Sequence, residues 1–112
     1  MINYNNKLFK AVSNTENGET SAETIFNYQQ HNNILTATYS GGKILHGHLI
    51  GLVDDKGVID MRYHQVNTKG ELMTGICKST PEILSDGKIR LLENWKWTSG
   101  DLSEGVSTIE EI

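Results

Sequence analysis

Three short segments constrain this chain more than anything else in it. Asp55-Lys56-Gly57, Thr68-Lys69-Gly70 and Ser85-Asp86-Gly87 each end a three-residue connection in glycine. A three-residue β-hairpin, a type I turn followed by a bulge, needs a positive φ at that position, which glycine adopts without steric penalty. The residues on either side alternate between apolar and polar with a period of two, the pattern of strands with one buried face. Such turns also fix the register of the strands they join. They place Asp54 opposite Val58, Asn67 opposite Glu71, and Leu84 opposite Lys88.

The same alternation, punctuated by turn clusters, predicts strands near 7–13, 23–31, 33–40, 43–53, 58–66, 71–79, 88–98 and 104–111. No window keeps a helical apolar stripe for three turns, and the acidic segment from Glu16 to Glu23 has room for one helical turn at most. A chain of 112 residues suffices for one domain and not for two. No linker or low-complexity stretch divides it, so residues 1–112 are read as a single domain. The expected fold is all-β: an antiparallel up-and-down meander of about eight strands closed into a small barrel, because closure removes exposed edges.

The turn registers sort side chains onto two faces. One carries Leu45, Gly47, Leu49, Gly51, Val53, Ile59, Met61, Tyr63, Gln65, Met73, Gly75, Cys77, Leu91, Glu93, Trp95 and Trp97. The other carries His46, His48, Ile50, Leu52, Asp60, Arg62, His64, Thr74, Ile76 and Lys78. The first is the expected interior, since it holds both tryptophans and sets Gly75 opposite Trp97 and Cys77 opposite Trp95. Small residues opposite large ones suit a tapering barrel, and strand glycines relieve crowding where a sheet bends.

The stretch from Tyr39 to Gly105 resembles a family of small bacterial proteins. The resemblance rests on Tyr39-Ser40-Gly41-Gly42, Gly47-His48-Leu49-Ile50-Gly51-Leu52-Val53, Asp60-Met61-Arg62-Tyr63-His64-Gln65 and Leu72-Met73-Thr74-Gly75. Its most distinctive part is Trp95-Lys96-Trp97-Thr98-Ser99-Gly100-Asp101. The resemblance implies an avidin-like or calycin-like (lipocalin-like) barrel. It also implies a label that such proteins often carry, N-acetylglutamate synthase. On the residues themselves, the glycine-rich turn and following helix that hold the coenzyme A pyrophosphate in common acetyltransferases do not occur. Acetyl transfer therefore stands as the disfavoured alternative.

Composition excludes other classes. Net charge is −4 with no cluster of Lys or Arg, which argues against nucleic acid and anionic membrane surfaces as partners. No apolar run approaches the roughly 18 residues of a membrane span. The N-terminal residues lack a signal-peptide pattern, and the one cysteine, Cys77, has no internal partner. Together these suggest a reducing cytoplasm. No cofactor motif is present.

The candidate site is the barrel lumen. Eight-stranded barrels either fill with side chains or hold one small ligand. Tyr63, Gln65 and Glu93 are polar groups on the inward face, among Met61, Met73, Trp95 and Trp97. A few convergent polar groups in an apolar pocket describe a small-molecule site, with the tryptophans stacking on a planar ligand. The competing expectation is a filled core in which Tyr63 and Gln65 bond to each other or to the backbone, leaving a structural or interaction protein. Glu93 is expected at a strand end reaching water. If buried, desolvation raises its pKa and it can act as an acid. Beside Tyr63 and Gln65, Arg62 could clamp a carboxylate bidentately, although a regular strand points it to the other face. His46, His48 and His64 share the outer face and form a weak candidate for a three-histidine zinc site. Cys77 is expected to be a small buried hydrophobe, and no Ser-His-Asp grouping is identifiable. Ile50, Leu52 and Ile76 form an outer apolar patch that suits a homodimer contact.

Overall fold

The computed structural model describes residues 2–112 and contains strands β1 (Lys7–Asn14), β2 (Ile25–His31), β3 (Ile34–Gly41), β4 (Ile44–Val53), β5 (Ile59–Asn67), β6 (Leu72–Ile83), β7 (Ile89–Trp97) and β8 (Glu104–Glu111). Every neighbouring pair is antiparallel, and β8 returns to pair with β1, so the sheet closes in sequence order into a barrel. The acidic segment before β2 forms turns and no helix. No helix among the described residues is long and apolar enough to cross a membrane.

The three glycine-ended turns adopt the expected geometry. Gly57, Gly70 and Gly87 have φ of 82°, 75° and 85°. Backbone hydrogen bonds join Asp54 to Val58, Asn67 to Glu71 and Leu84 to Lys88 at 2.8–3.0 Å. The strand pairings follow: Leu49 with Tyr63, Met61 with Cys77, Cys77 with Trp95 and Gly75 with Trp97.

Two expectations fail locally. Leu45 is 60% exposed instead of interior. A bulge between Ile44 and His46 inserts Leu45 as an unpaired residue on β4, so Ile44 takes the inward position and the alternation restarts beyond it. Strand β6 also runs past Ser79 through Pro81 to Ile83. Its pairing with β5 ends at Ser79 while its pairing with β7 continues. On the side where β5 has ended, the missing proline N–H leaves no ladder bond unmade.

The two ends of the barrel differ. At one end the chain start folds under, and the Tyr4 hydroxyl donates to the carbonyl of Gly57 in the β4–β5 turn. Tyr4, Phe9 and Tyr28 interlock there, with Phe9 and Tyr28 ring centroids 4.7 Å apart. Leu35, Ile59, Leu91 and Ile109 complete a layer from which solvent is excluded. The other end carries the β1–β2 loop, the longest connection in the barrel.

Candidate functional site

Above the packed layer the lumen encloses a cavity of about 50 Å³. On that measure it has room for roughly three to five water-sized groups, far below the ~300 Å³ of a drug-sized pocket. Met61 and Tyr63 of β5, Cys77 of β6, and Glu93, Trp95 and Trp97 of β7 line it, with Phe26, Tyr39 and Leu49 on the opposite wall. Glycines give the large rings their places. A Cβ at Gly75 would fall on the Tyr63 ring, at Gly47 on the Tyr39 ring, and at Gly105 on the Trp95 ring. Trp97 lies 5.5 Å from Trp95 and 5.8 Å from Tyr63, the latter edge-on.

Glu93 is the charged group of the interior. It is 7% exposed, and the expectation that it reaches water at a strand end is overturned. It sits in mid-strand and pairs with Ser79 on one side and Ser107 on the other. Both hydroxyls donate to its carboxylate, Ser107 at 2.9 Å and Ser79 at 3.3 Å. Burial pushes its pKa up to about 7 against the pull of those two hydrogen bonds. Burial likewise raises the pKa of Tyr39, Tyr63 and Cys77, with Glu93 adding to each.

Gln65 is buried, but it bonds neither to Tyr63 nor to the backbone. Its amide oxygen accepts from the Tyr39 hydroxyl at 2.8 Å, and its amide nitrogen donates to Glu19 at 2.8 Å. Glu19 belongs to the β1–β2 loop and takes a second hydrogen bond from Asn67 at 2.7 Å. The same loop reaches the tryptophans. The Trp97 indole N–H donates to the loop carbonyl of Asn17 at 3.0 Å, and that of Trp95 to Oδ1 of Asn14, the last residue of β1, at 3.2 Å. Asn17 is tied in turn to Ser103 and Glu104. The loop is therefore a strap across the mouth. Sequence reasoning missed Glu19, Asn14, Asn67 and Tyr39, and the length of the β1–β2 connection was the available signal.

The remaining candidates separate from this site. Met73 sits at the rim against Gly100 and accepts from the Ser99 hydroxyl at 3.8 Å, away from the cavity wall. Arg62 lies outside, 2.7 Å from Asp60. His48 and His64 face each other with ring centroids 5.4 Å apart. His46 lies next to the bulge, opposite Val66, and no group of three His, Cys, Asp or Glu side chains among the described residues is placed to hold a metal ion. Cys77 is buried, as expected.

A protein-family model described as "Avidin-like protein" matches residues 2–112. No curated protein and no solved structure matches the chain.

Proposed function

The chain belongs to the avidin-like protein family, and from that premise we propose that it binds a small, partly apolar molecule in the barrel lumen without catalysis. The observation that carries this reading is the asymmetry of the interior. One end is packed solid, while the other keeps an aromatic-walled cavity whose polar lining includes Gln65 and Glu93, beneath the β1–β2 strap. A core that needed only stability would fill both ends. The ligand contacts assigned by this reading are Met61, Tyr63, Gln65, Glu93, Trp95 and Trp97. Met73 shapes the rim.

The test is a screen of small metabolites by tryptophan fluorescence and thermal melting. Binders are expected to shift the emission of Trp95 and Trp97 and to raise Tm. If no compound moves either signal, the lumen is simply core. The acetyltransferase alternative needs a site for the coenzyme A pyrophosphate, and a helix N-terminus is the usual one. None occurs among the described residues. Incubation with acetyl-coenzyme A and glutamate is expected to give no turnover.

The outer face supports association of two copies. Leu52 and its β3 neighbour Ile34 are exposed, as are Ile50 and Ile76 on the same side. Light scattering is expected to give the mass of a homodimer, reduced to the monomer by Leu52→Lys. A monomeric wild type rejects this surface. The single buried thiol accords with a reducing, cytoplasmic setting.

A further inference from the structure

We infer that the lumen selects a small organic cation, an alkylammonium or methylated ammonium of a few heavy atoms, held between the Glu93 carboxylate and the rings of Tyr63, Trp95 and Trp97. The inference rests on the lumen-binding reading above and names the chemistry of its ligand.

The charge of the lining comes first. Two carboxylates, Glu93 and Glu19, border the cavity, and no Lys, Arg or His among the described residues does. An anion placed there would be buried against like charge at short range, where the low dielectric magnifies the repulsion. A cation would meet the opposite situation.

The hydrogen-bonding capacity of the walls points the same way. The Trp97 indole N–H is engaged by the strap, that of Trp95 by Asn14 at the end of β1, the Tyr39 hydroxyl by Gln65, and the Gln65 amide by Glu19. Most of the donors that would hold a carboxylate or phosphate are therefore already in use, the Tyr63 hydroxyl being an exception. What the walls offer beyond it is acceptor capacity and aromatic π systems. Each Glu93 oxygen accepts one hydroxyl, and an ionised carboxylate has about four acceptor positions. Trp95 and Trp97 line the cavity, and the π systems of indoles attract cations.

Size completes the argument. A cavity of about 50 Å³ suits a head group of a few heavy atoms. A compact ammonium also needs few hydrogen bonds once its charge is compensated.

Tetramethylammonium and tert-butanol, similar in size and shape but charged and neutral, test this. Each is titrated at constant ionic strength and pH 8 into the wild type and the Glu93→Gln variant, following the indole N–H resonances of Trp95 and Trp97. Tetramethylammonium is expected to bind the wild type at least tenfold more tightly than tert-butanol, with the preference lost in Glu93→Gln. Equal binding of the two, or a preference unchanged by Glu93→Gln, overturns the cation assignment and leaves lumen binding intact. If neither probe binds the wild type or Glu19→Ala, in which the mouth is unlatched, the lumen-binding reading itself falls.

Should Glu93→Gln fail to fold, the wild type titrated between pH 5 and 8 serves instead. The groups around Glu93 are Tyr28 of β2, Tyr39 of β3, Tyr63 of β5 and Cys77 of β6, all with raised pKa and uncharged in this range, and Glu19 of the strap. Tetramethylammonium affinity is expected to fall about tenfold on acidification from pH 8 to 6. A flat profile overturns the assignment.

Discussion

The Glu19 carboxylate and the Gln65 amide meet at 2.8 Å across the mouth of the barrel. One belongs to the loop between β1 and β2 and the other to the interior face of β5. Glu19 is also held by Asn67 at 2.7 Å, so a single side chain on the strap ties it to the C-terminal end of β5. Glu19→Ala removes the acceptor of the Gln65 amide and one of the two acceptors of the Asn67 amide, which also donates to Glu71. Hydrogen bonds to a charged group at a half-buried rim contribute modestly, and the expected loss of stability is about 1–2 kcal/mol. The more specific outcome is local. The indole N–H proton of Trp97 is expected to exchange with solvent at least tenfold faster, because the strap that accepts it opens more often. Wild-type exchange rates in Glu19→Ala would mean that the strap is held by its other contacts and that Glu19 is no latch.

How much of this was legible in the sequence depended on whether the cause was local. The three hairpin turns were legible because their requirement, a positive φ at Gly57, Gly70 and Gly87, lies within three residues. Inside and outside were legible because strand side chains alternate strictly, so each turn carried the assignment along the strands on either side of it. The alternation failed at Leu45, where a bulge adds a residue without any compositional mark. Glu93 is a different kind of miss. The Leu84–Lys88 turn already placed Ser79 opposite it, so the hydroxyl that donates to its carboxylate was implied by the register and was not followed through. The Glu19–Gln65 contact was beyond reach. It exists only once the barrel has closed and the strap has folded over its end.

Gly75 tests the packing of the cavity wall. A Cβ there would land on the Tyr63 ring, and neighbours on β5 and β7 leave little space to yield. Gly75→Ala is expected to destabilise the protein by about 1–3 kcal/mol through overpacking. Tyr63→Val alone costs stability by leaving a void. In the double variant the alanine methyl no longer meets a ring, so the two costs are expected to be clearly less than additive by chemical denaturation. Additive losses would show that the Gly75 requirement lies in the backbone and not in the ring.

Tyr28 presents the opposite case. Its hydroxyl is buried and has no hydrogen-bond partner among the described residues, while its ring packs between Phe9, Tyr4 and Phe26. Desolvating a hydroxyl without replacing its bond to water costs about 1–3 kcal/mol. Tyr28→Phe keeps the ring contacts and removes that cost, so the variant is expected to be more stable than the wild type by about 1 kcal/mol. A destabilised Tyr28→Phe in urea unfolding would show that the hydroxyl makes a favourable interaction.

Glu93 makes the stability of the whole barrel depend on pH. Its pKa rises from 4.5 to about 7 on folding, with burial as the leading cause. The folded state therefore binds more protons than the unfolded state between those values, and the stability of the fold must fall as pH rises through that window. The contribution is fully present below about pH 4.5 and is lost as pH passes 7. The shift corresponds to about 3 kcal/mol, a sizeable part of the net stability of a domain this small. Unfolding curves in urea at pH 5, 6, 7 and 8 are expected to show declining stability along the series. In Glu93→Gln, whose amide cannot ionise but can accept from one of the two serine hydroxyls and donate to the other, the decline is expected to flatten. The variant should overtake the wild type near pH 8, where the buried carboxylate is charged. Parallel profiles for the two proteins would mean that Glu93 titrates in the barrel as it does in the unfolded chain.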